Sequence, residues 1–222
     1  MNKFLIFLSS IMLIVTLTTF NPNNLNLNLA LFQVKKIEIK NVKILSSEKL
    51  KKLFYSELSQ NSLFVIDEKI IDKILLKNKI ISHVEFKKIY PSMLVVTVYE
   101  KEIIAVINYK KNKFYLTKKG EEIKFFKNKK LEDLPNIFGK QENFLKIYVS
   151  LNSLNFPISK IKSFYYFDIG RWDIMLKNNR IIKLPVNNFI ESLTNFIEIE
   201  KKINFEKYTI FDYRIKNQLI LK

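Results

Sequence analysis

The 222-residue chain is 48% apolar and 27% charged, and its 38 Lys+Arg against 21 Asp+Glu leave a formal charge of +17. That apolar fraction fills one or two cores and excludes long-chain disorder. With 0 cysteines, 1 histidine (His83) and 3 glycines (Gly120, Gly139, Gly170), the chain has no material for a disulfide framework, a zinc ribbon, a thiol nucleophile, a GxGxxG turn or a Walker loop.

Residues 4–20 carry no charged side chain, and as a helix they cover about 26 Å against a hydrocarbon core of about 30 Å. Two readings stand open. One is a membrane anchor with residues 1–3 as a minimal cytoplasmic tail; the other is a cleaved signal peptide, although no A-x-A-like site follows Phe20. Residues 21–31, with Asn21-Pro22-Asn23-Asn24 and then Leu25, Leu27 and Leu29 alternating with asparagine, read as a polar extended linker.

From Phe32 the pattern shortens. Val34, Ile37 and Ile39 lie in a strand-like run, and Ser46-Ser47-Glu48 reads as a helix start with a hydroxyl cap and an early acid. Leu50, Leu53, Phe54 and Leu58 make one helical face. Asp67 is placed to cap a second helix bearing Ile70, Ile71, Ile74 and Leu75. Residues 82–89 and 93–100 read as two strands joined at Tyr90-Pro91-Ser92, where proline presets a turn. The order is strand, helix, helix, strand, strand, an α+β layer with both helices on one sheet face.

Beyond Glu100 strands predominate: residues 103–107, 114–117 and 123–126, with a turn at Lys119-Gly120. The chain bends around Leu134-Pro135-Asn136, and Phe144, Ile147, Tyr148, Leu151 and Leu154 fit a helix. Residues 161–167, 173–177 and 180–184 read as strands, the last two joined by a two-residue turn at Asn178-Asn179. Phe189, Leu193, Phe196 and Ile197 mark another helix, and residues 208–213 and 218–222 supply the last strands.

Asn61-Ser62-Leu63-Phe64-Val65-Ile66-Asp67, then Val84-Glu85-Phe86-Lys87-Lys88-Ile89-Tyr90-Pro91 and Leu94-Val95-Val96-Thr97-Val98-Tyr99-Glu100, resemble a POTRA domain. Gly170-Arg171-Trp172-Asp173-Ile174, Ile182-Lys183-Leu184-Pro185 and Phe211-Asp212-Tyr213-Arg214 are similar, in order and distance, to the RWD-x-x-L, LP and I-D-x-R elements of the FtsQ/DivIB family. Nearly the whole chain is covered. Some positions depart from the pattern: Asn41 and Asn179 stand where glycines are common, Ile80 or Ile81 where a tryptophan is common, and the exit proline after the first domain is absent. Asparagine tolerates the left-handed region and apolar residues can fill a tryptophan's core position, so the departures touch local geometry.

The resemblance implies an α+β protein: an N-terminal transmembrane helix (4–20), a small POTRA domain (32–100, β-α-α-β-β) and a mixed β-domain (101–222) with an open C-terminal edge strand. It implies a single-pass inner-membrane protein, its N-terminus cytoplasmic and its bulk periplasmic, enriched at the division septum. Its expected role is a divisome scaffold that binds an FtsB–FtsL-type coiled coil by strand addition, with no catalysis, cofactor, metal or small-molecule substrate.

Carried over by position, the expected partner contacts are Arg214, Ile215 and Asn217, with Leu219 and Leu221 on the terminal strand. A buried internal strand is the plain alternative there. A second recruitment surface is expected at His83, Phe86 and Lys88, although Phe86 with Val84 could equally face the helices as core. A lone tryptophan in an alternating strand is a packing residue, and Trp172 is read so. Asp173 beside Arg171 reads as a surface ion pair, since no second acid or histidine completes a catalytic set. The charge is nearly all lysine, with Arg171, Arg180 and Arg214 the arginines, and it forms no clustered stripe. A solvated lysine surface therefore outweighs nucleic-acid binding. Rival functions are a POTRA-bearing transport or outer-membrane assembly component, for which the chain is too short, and a basic nucleic-acid-binding protein.

Overall fold

The computed structural model describes residues 2–19, 32–66, 68–140, 144–202 and 207–222. The expected linker at 21–31 and the Asp67 cap lie outside them. Two compact units form: one from the described parts of 1–40, 47–74 and 85–97, the other from 41–46, 75–84 and 98–222.

Helix α1 (Asn2–Thr19) occupies the apolar N-terminal run. Its apolar side chains, Phe4, Leu5, Phe7, Leu8, Met12 and Leu13 among them, are exposed around the helix. The expectation that this run crosses a membrane meets a correction. At 18 residues α1 reaches about 27 Å, it carries Ser9, Ser10 and Thr18, and no helix among the described residues is long and apolar enough to cross a membrane.

Strand β1 (Lys36–Lys40) pairs parallel with β3 (Met93–Glu100), and β2 (Ile81–Ile89) completes a three-stranded sheet in the order β1-β3-β2. Helix α2 (Ser47–Leu58) begins at the expected hydroxyl and buries Leu50, Phe54 and Leu58 at i, i+4 and i+8. Helix α3 (Glu68–Lys77) buries Ile74. Ile37, Leu94 and Val96 are buried in the sheet.

The second unit is built on a nine-stranded sheet, β12-β11-β10-β9-β8-β7-β4-β5-β6. Its strands are β4 (Ile103–Tyr109), β5 (Asn112–Thr117), β6 (Glu122–Lys124), β7 (Asn136–Phe138), β8 (Ile161–Phe167), β9 (Arg171–Leu176), β10 (Ile181–Lys183), β11 (Ile210–Asp212) and β12 (Ile220–Leu221). Strand β7 falls where a bend is expected. It sits mid-sheet, parallel to both β4 and β8.

Two parallel crossovers organise this sheet. Helix α4 (Phe144–Ser153) joins β7 to β8, and α5 (Phe189–Lys202) joins β10 to β11, each pair running parallel as a helical crossover demands. Facing residues Ile137, Phe164, Ile174, Ile182 and Phe211 share one register row and one core with Phe144, Ile147, Leu151, Leu193 and Phe196. That face is the helix-covered one. Phe196 meets Phe211 edge-on at 5.0 Å, and Trp172 is buried in the same core, as expected.

The β9–β10 connection is a three-residue loop, not a two-residue turn. Leu176 N–H donates to Arg180 O at 2.8 Å, Asn179 N–H donates to Leu176 O at 3.0 Å, and Asn179 takes the left-handed region at φ 64. Asn41, also in place of a glycine, has φ 60. Gly139 is required differently: at φ +97, an added Cβ would lie 2.7 Å from Tyr166 O.

Candidate docking site at the last strand

Strand β12 lies at one end of the nine-stranded sheet and pairs, among the described residues, with β11 alone. Lys222 and Ile210 exchange both backbone hydrogen bonds, at 3.1 and 3.0 Å. In an antiparallel ladder the groups alternate, so the N–H and C=O of the preceding residue, Leu221, point to the open side. This is an unpaired edge of the kind that invites another strand.

Side chains around that edge separate by face. Leu219 and Leu221 pack against the helix-covered core, whereas Ile220, 37% exposed, stands on the opposite face. Ile215 and Asn217 are exposed in the loop before the strand, Asn217 in the left-handed region at φ 60. The expected residues are thus brought to one sheet margin. For Leu219 and Leu221, what is offered outward is backbone.

Arg214 is held rather than free. Its Nε donates to Asp212 Oδ1 at 2.8 Å, and its Nη2 donates to Oδ2 at 2.6 Å, a bidentate grip on a buried carboxylate. These hydrogen bonds hold the Asp212 carboxyl below its usual value, against the opposing effect of its burial.

A hollow of about 370 Å³ opens on the helix-free face, lined by Ile169, Arg171, Val186, Arg214, Ile215 and Ile220 among others. Sequence reasoning did not single out Ile220 or Ile169. The alternation of Leu219 and Leu221 was the available signal for Ile220. On the helix side, a larger hollow of about 740 Å³ runs between α5 and the 213–219 loop. There Tyr213 donates its hydroxyl to Asn195 Oδ1 at 3.0 Å, and burial pushes that phenol up to about 12.

The Arg171–Asp173 pair is not on the surface. Asp173 is 6% exposed, because its strand register places it beside Lys183 in the middle of the sheet. Arg171 Nε lies 3.2 Å from Asp173 Oδ1, but the two are too poorly aligned for a hydrogen bond. Burial raises the Asp173 carboxyl, and the nearby charges of Arg171, Lys183 and Arg214 offset only part of that. Arg171 also lies over the Phe167 ring at 4.2 Å.

On the second expected surface, β2 is itself an edge strand among the described residues. His83 is exposed and stacked on Tyr99 at 4.1 Å. Phe86 is half-buried with its ring edge toward Phe54 at 6.2 Å, and Lys88 reaches Ile66 O at 3.5 Å. By strand alternation His83 points away from Phe86 and Lys88, so the three do not form one patch. Among the described residues no group of His, Asp or Glu side chains is placed to hold a metal ion.

Comparison with known proteins covers both units. A model described as "Cell division protein FtsQ/DivIB, C-terminal" matches residues 105–214, and "POTRA domain, FtsQ-type" matches residues 32–101. "Cell division protein FtsQ" of Rickettsia bellii (strain RML369-C) is 29% identical over 169 residues, 73% of this chain and 62% of the relative. That of Rickettsia conorii (strain ATCC VR-613 / Malish 7) is 28% identical over 155 residues, 67% of this chain and 57% of the relative. The aligned stretch therefore spans less than two thirds of these curated relatives. The extracytoplasmic domain of DivIB from Geobacillus stearothermophilus aligns at 14% identity and TM-score 0.32, over 48% of this chain and 99% of that one, too loose a likeness to bear on the fold.

Proposed function

The chain belongs to the FtsQ/DivIB family, and from that premise we propose that it is a non-enzymatic division scaffold that docks an FtsB–FtsL-type coiled coil by strand addition to β12. The observation that carries this reading is the outward-facing Leu221 backbone on a strand with one neighbour among the described residues. Backbone pairing supplies affinity, and the hollow beside Ile220 receives the partner's side chains. Arg214 directs an incoming carboxylate through the side of its guanidinium that Asp212 leaves open.

Residues 32–100 and 101–222 act as the two functional domains on the periplasmic side of the inner membrane, at the division septum. A lesser recruitment contact runs along the open edge of β2, near His83.

Two variants test the docking. Truncation before Gln218 removes β12. Leu221→Pro deletes the outward donor, at the cost of one half-buried leucine side chain, and proline is tolerable on an edge. Both should abolish co-purification of the coiled-coil partner while circular dichroism stays that of the intact chain; partner retained by both defeats the proposal. A phosphatase fused after Phe32 should be active, and an inactive fusion overturns the periplasmic placement.

A further inference from the structure

The opposite end of the same sheet carries a feature that the β12 reading does not use. Strand β6 is the other terminal strand and pairs, among the described residues, with β5 alone. Beside it lies a groove of about 470 Å³ lined by Leu45, Leu76, Lys77, Asn78, Lys79, Ile80, Ile123, Lys124 and Phe126. Its apolar lining is Leu45, Leu76, Ile80, Ile123 and Phe126, and its charged lining is lysine without a single carboxylate.

Leu76 is 81% exposed, beyond any other large apolar side chain recorded as exposed among the described residues. Ile80 and Ile123, by contrast, are buried at 2% and 5% and form a firm floor. One wall is held in place by Glu100, whose carboxylate accepts the backbone N–H groups of Ile44 and Leu45 at 2.6 and 2.8 Å. Asn128 Nδ2 donates to Ile44 O at 2.9 Å from the other side.

We infer that this groove is a second docking site, taking an extended, acidic and partly apolar segment of another protein. Charge chooses the occupant. Lys77, Lys79 and Lys124 favour carboxylates, and a second copy of a chain at +17 would bring lysines against lysines. Shape chooses between a peptide and a lipid surface. A bilayer does not enter a concave groove, whereas an extended segment lays apolar side chains on Leu76 and Phe126 and pairs its backbone with the β6 edge.

The test uses the full chain in detergent and a fluorescein-labelled peptide of alternating glutamate and valine, read by anisotropy. The wild type should bind it, with affinity falling as salt rises, and should not bind the lysine–valine counterpart. Leu76→Asp, and the combined Lys77→Glu, Lys79→Glu and Lys124→Glu change, should each lose about tenfold or more with unchanged circular dichroism. Truncation before Gln218 should leave this binding intact, which separates it from the β12 reading. Absence of binding, equal binding of both peptides, unchanged affinity in the variants, or binding only of phosphatidylglycerol vesicles would overturn the inference.

Discussion

Arg214 closes on Asp212 through two nearly parallel hydrogen bonds, 2.8 Å from Nε and 2.6 Å from Nη2, and pins the chain where it leaves β11. Asp212 is buried, so removing its partner is costlier than removing its charge. Because the Arg214 side chain is itself half-exposed, solvent screens part of that cost, and Arg214→Ala should destabilise the fold by about 1–2 kcal/mol and Asp212→Asn by about 1 kcal/mol, measured by urea unfolding. The Asp212 carboxyl is held below its usual value, chiefly by the hydrogen bonds from Arg214. Its stabilising contribution is present above the ordinary carboxylate range and is lost as pH falls through the lowered value. Asp212→Asn should flatten that acid limb.

Asp173 has the opposite sign. Burial raises its carboxyl, so its contribution is fully present below the ordinary aspartate value and is lost as pH rises through the raised one. Asp173→Asn should leave stability within about 1 kcal/mol of the wild type at neutral pH and reduce the loss on going up from acid. Thermal melts across that range check it. A neutral-pH loss well beyond that size would mean that the ion pair with Arg171 outweighs desolvation.

Glu100 gathers three backbone N–H groups, those of Lys43, Ile44 and Leu45, at 3.0, 2.6 and 2.8 Å. Glu100→Ala leaves these donors without their acceptor and should cost about 2–3 kcal/mol. Amide hydrogen exchange at residues 43–45 should rise before exchange in the β8–β9 core does. Unchanged exchange at those three amides would count against the carboxylate as the clamp.

Much of this architecture was legible because periodicity survives in it. Leu50, Phe54 and Leu58 are buried along one stripe of α2, and Asn41 and Asn179 took the left-handed turns that asparagine can enter without glycine. Strand β7 was not legible. It is three residues long, follows Pro135, and derives its place from parallel pairing with β4 and β8, contacts far away in sequence. The burial of Asp173 was hidden for a related reason. Its alternation marks it as outward, but a sheet nine strands wide leaves little solvent at the middle of even its helix-free face.

At the candidate site the residue numbers were legible and their directions were not. Leu219 and Leu221 turn inward and Ile220 outward, which only the register with β11 fixes. Arg214 was legible as an expected contact, but nothing in the order of residues shows that it closes on Asp212.

The most direct measurement is amide exchange at Leu221, followed by NMR on the full chain with and without the coiled-coil partner. In the unbound protein this amide points away from β11 and should exchange quickly, while that of Lys222, bonded to Ile210 O at 3.1 Å, should be slower. Strand addition predicts that the partner slows Leu221 by about a hundredfold or more, as expected for an amide drawn into a ladder. If Leu221 exchanges at its free rate in a saturated complex, the partner does not pair with this edge and the account fails.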